Sequence, residues 1–518
     1  MLACMVRKYA SRAFAATIHN AMQFVVSALM GHDEIGARVD DQIPDVLLRH
    51  RPRYHALMIV IRWREERLKG LANEMAILSA CGSAGRAVAL SGLTAAVGLL
   101  SLIVLPVPFL KSVGYGSMLI PFVAVCVALT LLPVCLAVVG PALDRFCIWR
   151  ESSTTYSRTW ECWGKSILRF RWLAAIAGVA LIAVTTVPAF WLKTGEPLIE
   201  SLVQTGPAAR SFHQLEAHGI PSAIDFPIYV MTHGGAVAVR QAKAVAAATP
   251  GVYHVFAPDT PAFRKGADAL LTVIPKAEGS LKEGKAIVTA LRHRLSALPG
   301  GAAEVGGSTA ADMSFTNAVY GNFPLLLAVV SLVTLIILVL SLRSIVLAVK
   351  AVVLNVASLG SAFGFMVWFW QLGHGSSLIY GIPATNAIRA WIPSIVFASL
   401  FGLSMDYEVF VLSRIREEYD QTGSTHQAIV SGLARTGRLV TCAALILMVT
   451  FLSLSIDPNQ IVKIEASTLA VGIIIDAVII RTLLVPALVS LMGRWNWWLP
   501  GSVGRMVSRN GPSTSGEG

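Results

Sequence analysis

One acid stands inside an apolar run: Asp406, in SLFGLSMDYEVFVLSR, with Tyr407 beside it. A carboxylate at membrane depth is costly unless it faces a cavity or a partner. In such a place a carboxyl group can exchange protons at working pH. The Tyr407 hydroxyl can donate to it or pass a proton through water. Such an acid either carries protons or pins helices together by hydrogen bonds. Glu408 lies two residues on, so it points to nearly the opposite helix face and reads as structural or interfacial. Asp476 and Arg481 interrupt a second apolar run, GIIIDAVIIRTLLVP. Five residues apart on an α-helix, they do not share a face. Each is therefore expected to meet a group on a neighbouring helix within the same polar network, the alternative being structural pairing with snorkelling of Arg481.

These residues sit in the second copy of an internal repeat. Arg62, Arg64, Glu65 and Glu66 recur 352 residues later as Arg414, Arg416, Glu417 and Glu418. Gly85, Arg86 and Pro106 recur as Gly437, Arg438 and Pro458 at the same offset. One residue further out of step, Pro133 and Gly140 answer Pro486 and Gly493. The match fails where chemistry is expected. Tyr54 and His55 stand where the second copy has Asp406 and Tyr407, and Val123 and Ala128 stand for Asp476 and Arg481. His55 either faces Asp406 across the two-fold axis and titrates near neutral pH, or is an accident of a rebuilt helix end.

The elements that must hold these groups are membrane helices. Of 518 residues 55% are hydrophobic and 14% charged, a polytopic membrane composition rather than a soluble one. Eight segments are long enough to cross a hydrocarbon layer of about 30 Å, which takes about 20 residues. They fall near 87–107, 116–139, 172–192, 321–342, 346–370, 391–412, 439–456 and 467–491. The net charge of +12 is no nucleic-acid footprint. Its cations gather in alternate loops, around Arg62–Arg86, Arg145–Arg171, Arg343–Lys350, Arg414–Arg438 and beyond Arg494. That is the positive-inside pattern, and it assigns those loops to the cytoplasm.

The same pattern places the large polar insert, residues 193–320, outside. Alternating strand and helix signals in it predict a small α/β domain with a mixed sheet. The remaining boundaries are a divergent segment 1–53, the end of a first-half bundle 54–140, and a connector 141–171 with an amphipathic Trp-rich piece. A membrane helix follows at 172–192, then a second-half bundle 321–500 and a Gly/Ser-rich tail 501–518 expected to be disordered. No phosphate-cradling loop, nucleophilic triad or metal-ligand spacing is present, so the sequence predicts neither enzyme nor cofactor.

FGLSMDYEVFVLSRIREEY, ARTGRLVTCAALILMVTF, GIIIDAVIIRTLLVPALVSLMGRWNWWLP and AGRAVALSGLTAAVGLLSLIVLPVPFLKSVGY resemble the MmpL family of the RND superfamily. The resemblance implies a polytopic α-helical RND-type bundle in the plasma membrane, with one extracytoplasmic α/β porter-like domain. It implies export of lipids or other hydrophobic molecules, with the proton gradient as energy source. In that family each half supplies an Asp-Tyr pair to the proton relay. Asp406-Tyr407 matches the second pair, and the first falls on Tyr54-His55. Asp476 and Arg481 match polar residues of the family's last helix. The chain thus resembles an N-terminally shortened member. A different reading follows from the same residues: a non-transporting remnant, or a protein that assembles with itself or with a complete transporter.

Overall fold

The structure, a computed structural model, describes residues 52–145, 156–202, 206–299 and 303–499. Most of the divergent segment 1–53, part of the connector and the tail 501–518 lie outside the described residues. In chain order come α1 (Pro52–Leu68), α2 (Asn73–Leu100), α3 (Pro108–Leu129), α4 (Leu131–Arg145), α5 (Arg158–Arg169) and α6 (Arg171–Thr186). The polar insert contributes β1 (Ile228–Thr232), α7 (Gly235–Ala247), β2 (Val252–Phe256), β3 (Arg264–Lys265), β4 (Asp268–Pro275), α8 (Lys282–Ser296) and β5 (Ala303–Gly307). Then follow α9 (Ser308–Leu342), α10 (Ile345–Phe365), α11 (Ile392–Thr422), α12 (Thr425–Leu454), α13 (Gln460–Ile474), a π-helical stretch Ile475–Leu484, and α14 (Val485–Met492).

Among the described residues eight helices are long and apolar enough to cross a membrane, from Asn73–Val104 to Gln460–Trp497. The helices outrun the apolar segments that announce them, because helix propagation does not stop where the hydrocarbon does. The Asn73–Val104 helix, for example, starts well before residue 87. Two starts are fixed by polar caps. Ser424 accepts from the Gln427 amide ahead of α12, and Asn459 accepts from the Ile461 amide ahead of α13.

The chain divides into two compact units. The first takes the described residues up to Thr186, Pro324–Ala362 and those from Ile395 on, and holds most of the membrane helices. The second takes Val187–Phe323 and Phe363–Ser394 and holds the sheet. Its strand order is β2-β4-β1-β5, with β3 on β4, and every pair is antiparallel. The expectation of a mixed sheet is therefore corrected. A helix between β1 and β2 does leave those two strands parallel, as alternating patterns predict. They are not neighbours, however, because β4 slots between them in the opposite direction. This is a β-α-β-β-α-β arrangement of the split kind. β1 alternates inward Ile228, Val230 and Thr232 with outward Tyr229 and Met231. Its inner face meets Leu271 and Val273 of β4 and Val288 and Leu291 of α8 in one core.

Candidate functional site in the membrane bundle

The π stretch decides the geometry of the site. An i→i+5 pattern widens the helix, so residues five apart stack on one side. Arg481 Nη2 donates to Asp476 Oδ2 at 2.5 Å. The expectation that these two side chains do not share a face holds for an α-helix and fails here for that reason. Both are buried, at 7% and 4% exposure. A buried pair needs further hydrogen bonds to offset the desolvation of two charges. Arg481 Nη2 supplies one to the Ser404 backbone carbonyl and approaches Ser404 Oγ at 3.3 Å. The pair is thus tied to α11, two residues before Asp406.

Small residues let the helices come this close. A Cβ on Gly472 of α13 would fall 2.7 Å from Leu400 of α11. A Cβ on Gly98 of α2 would fall 2.8 Å from the Gly402 backbone of α11, so the first copy crosses the second glycine to glycine. Beside the ion pair lies a cavity of about 10 Å³, with Asn355, Ser358, Ser404, Asp476 and Arg481 in its wall. That is no more than the space of one water molecule, and most of the wall is apolar, with Leu359, Leu400, Leu403, Val440 and Ile473 beside the polar groups.

Glu408 lies next to this cluster and is buried, which leaves the structural half of its structural-or-interfacial reading. It is 2% exposed and follows Ser404 by four residues, so it shares the face that Arg481 bonds. It lies within electrostatic reach of Arg481, Asp476 and Lys350. Its Oε1 is buried with no hydrogen-bond partner among the described residues. Lys350, on α10, donates to Asn496 Oδ1 at 2.7 Å. The signal for Glu408 was available in the Ser404–Glu408 spacing. What gave that face its meaning, the reach of Arg481, was not.

The backbones of Asp406 and Tyr407 lie in α11, and those of Tyr54 and His55 in α1. Their side chains lie outside the described residues. Of the sequence-predicted site, the structure therefore brings together Asp476 and Arg481 and adds Ser404 and Glu408 to them.

The MMPL family model matches residues 54–170 and 232–513. A heme uptake protein, MmpL11 of Mycobacterium tuberculosis, is 32% identical over 506 residues, covering 94% of this chain and 50% of that protein. A mycolic acid-containing lipids exporter, MmpL11 of Mycolicibacterium smegmatis, is 33% identical over 86% of this chain and 48% of its own length. The trehalose monomycolate exporter MmpL3 of Mycobacterium tuberculosis is 26% identical over 88% of this chain and 52% of its own. The chain spans about half the length of these curated relatives.

Proposed function

The chain belongs to the MMPL family, and on that premise we propose that it couples proton flow to export of lipids or other hydrophobic molecules across the plasma membrane. The observation that carries the reading is the buried Asp476–Arg481 pair bonded to α11 at Ser404. Charge is not retained at such depth without a partner or a function. Protonation of Asp406 changes the charge on the helix that Arg481 holds. The contact of α11 with the π stretch then has two states, and the helices rock between them. Each proton entering down a potential of 100 mV supplies roughly 2.3 kcal/mol, enough for one or two protons to bias such a switch. The names of two relatives support a lipid as cargo, and the name of the third makes haem the alternative.

The test is transport in vesicles with an imposed pH gradient, using labelled lipid and haem in parallel. Asp406→Asn keeps the shape of the side chain and removes its titration. Gradient-driven movement by the parent and its loss in this variant are expected, and equal transport by both overturns the relay. A second reading, assembly with a complete transporter, draws on Tyr54 and His55 standing where the first copy would need an acid. It is favoured if the parent moves nothing alone yet co-purifies with such a partner.

A further inference from the structure

A second cavity, of about 530 Å³, lies in the first unit between α5, α12 and the π stretch. α5 is fastened on both sides of it. Trp160 packs where a Cβ on Gly437 of α12 would fall 2.2 Å from its ring. The Ser157 amide donates to the Ala434 carbonyl at 2.9 Å, and Trp163 Nε1 donates to the Thr482 carbonyl of the π stretch at 2.9 Å. Thr159, Cys162, Trp163 and Ser166 form the stripe of α5 that lines the cavity, at i, i+3, i+4 and i+7. Opposite them stand Leu445 and Met448 of α12 with Ile474 and Val478. Leu445 and Val478 are 50% and 56% exposed, on helices that cross the membrane. The cavity therefore opens to lipid.

From this geometry we infer that the cavity is a binding site for one acyl chain of an anionic phospholipid. The chain lies along Leu445 and Val478, and its headgroup sits against α5. Charge on α5 selects the headgroup. Its acid, Glu161, takes a 2.5 Å hydrogen bond from Lys165, which holds that carboxyl below the usual range and neutralises the pair. The other two charged residues of α5 are cations. Arg158 adjoins Thr159 at one end of the stripe, and exposed Arg169, lying over the Phe170 ring, stands about 16 Å along the helix at the other, so each end offers one cation to a headgroup. Cations at the surface of a bilayer attract anionic lipid, and burial of methylenes holds the chain.

The site also touches the relay. Ala444 and Ala477 line both this cavity and the small one beside Asp476. Two alanine side chains thus belong to the walls of both. An acyl chain against them holds the π stretch in place, and its departure loosens the Asp476–Arg481 geometry. This coupling rests on the proposed function; the binding site does not.

The experiment uses the full chain in nanodiscs of phosphatidylcholine with or without phosphatidylglycerol, each carrying a photoactivatable group on the acyl chain. Labelling from phosphatidylglycerol is expected to concentrate on residues 441–448 and 474–482. Leu445→Trp puts a bulky ring across the path of the acyl chain and lowers that labelling about tenfold. Leu452→Trp, on the same helix but outside the cavity, leaves it unchanged. Of the single variants Arg158→Gln and Arg169→Gln, one is expected to cut the preference for phosphatidylglycerol about fivefold and so mark the headgroup end, and no effect from either overturns the anionic site. Even labelling along α12, Leu452 included, means annular lipid only and overturns the site. Equal labelling from both lipids overturns its anionic character. Leu445→Trp is also expected to change gradient-driven proton uptake, and lost labelling with unchanged uptake overturns the coupling. Asp406→Asn separates the two proposals, because it stops transport and leaves labelling intact.

Discussion

The two copies of the repeat share a frame and differ in what the frame holds. Around Arg62 and Arg414 they agree in detail. Arg62 pairs with Glu65 at 3.1 Å, and Arg414 with Glu417 at 2.7 Å. Glu66 and Glu418 are both nearly buried, at 5% and 6% exposure, and Trp63 and Ile415 both entirely. Within the membrane they part. α3 is α-helical throughout, with Pro121 inside it, where the second copy turns π over Ile475–Leu484. Val123, Ala128 and Ala56 replace Asp476, Arg481 and Glu408. The π turn and the ion pair belong together, because only the wider helix brings a residue and its fifth neighbour into contact. The first copy has no pair to assemble and keeps the narrower helix. One half holds a buried ion pair, and the other has apolar residues at the matching positions.

The sharpest way to break this contrast is to remove one charge. Arg481→Met leaves Asp476 buried and unpaired, which costs about 3–5 kcal/mol. Asp476→Leu with Arg481→Met recovers most of that, since well-packed apolar residues replace such pairs at little cost. Thermal unfolding in detergent checks both, and equal losses in the single and double variants mean the pair is no energetic unit. Glu408→Gln is isosteric and removes a buried ionisable group within reach of Arg481, Asp476 and Lys350. If Glu408 belongs to the proposed relay with Asp406, gradient-driven proton uptake falls to a small fraction of the parent's. Unchanged uptake makes Glu408 a spacer, equivalent to Ala56 of the first copy.

The repeat glycines sharpen the comparison at smaller scale. Gly437→Ala puts a methyl group 2.2 Å from the Trp160 ring, whereas Gly85→Ala meets only the end of the Leu129 side chain at 3.2 Å. Overpacking at Gly437 costs about 1–3 kcal/mol and frees α5. At Gly85 the change stays within about 0.5 kcal/mol, helped by the better helix propensity of alanine. Unfolding midpoints and tryptophan emission read both.

Much of this was legible in the sequence, and the gaps have physical causes. Hydropathy alone marks the eight spans, because a bilayer demands length and apolarity of each helix separately. The repeat and the strand-helix alternation are local patterns as well. The antiparallel sheet was not legible, because insertion of β4 between β1 and β2 is a long-range choice. Nor was the Asp476–Arg481 contact. Period 3.6 governs every face argument made from sequence, and nothing in GIIIDAVIIRTLLVP announces a change of period. The setting of Glu408 was hidden for a related reason. Spacing places its side chain relative to Asp406, while the charges within its reach, Arg481, Asp476 and Lys350, come from other helices.

The smallest expected effect lies where the two copies look most alike. An exposed i,i+3 pair contributes about 0.3–0.5 kcal/mol, so Arg414→Gln should change stability by no more than that. Arg62→Gln is not its equivalent. Arg62 also bonds the buried Glu66 at 3.1 Å, whereas Glu418 takes its cation from Arg435 of α12 at 3.0 Å. Among the described residues, loss of Arg62 leaves Glu66 with Lys69, at 2.9 Å. A cost of about 1 kcal/mol is expected, more than for Arg414, because one side of a buried carboxylate is left without its donor. Urea unfolding of the two single variants measures the difference. Equal values would mean that Lys69 replaces Arg62 fully, and that the buried acids of the two copies are held alike despite their different partners.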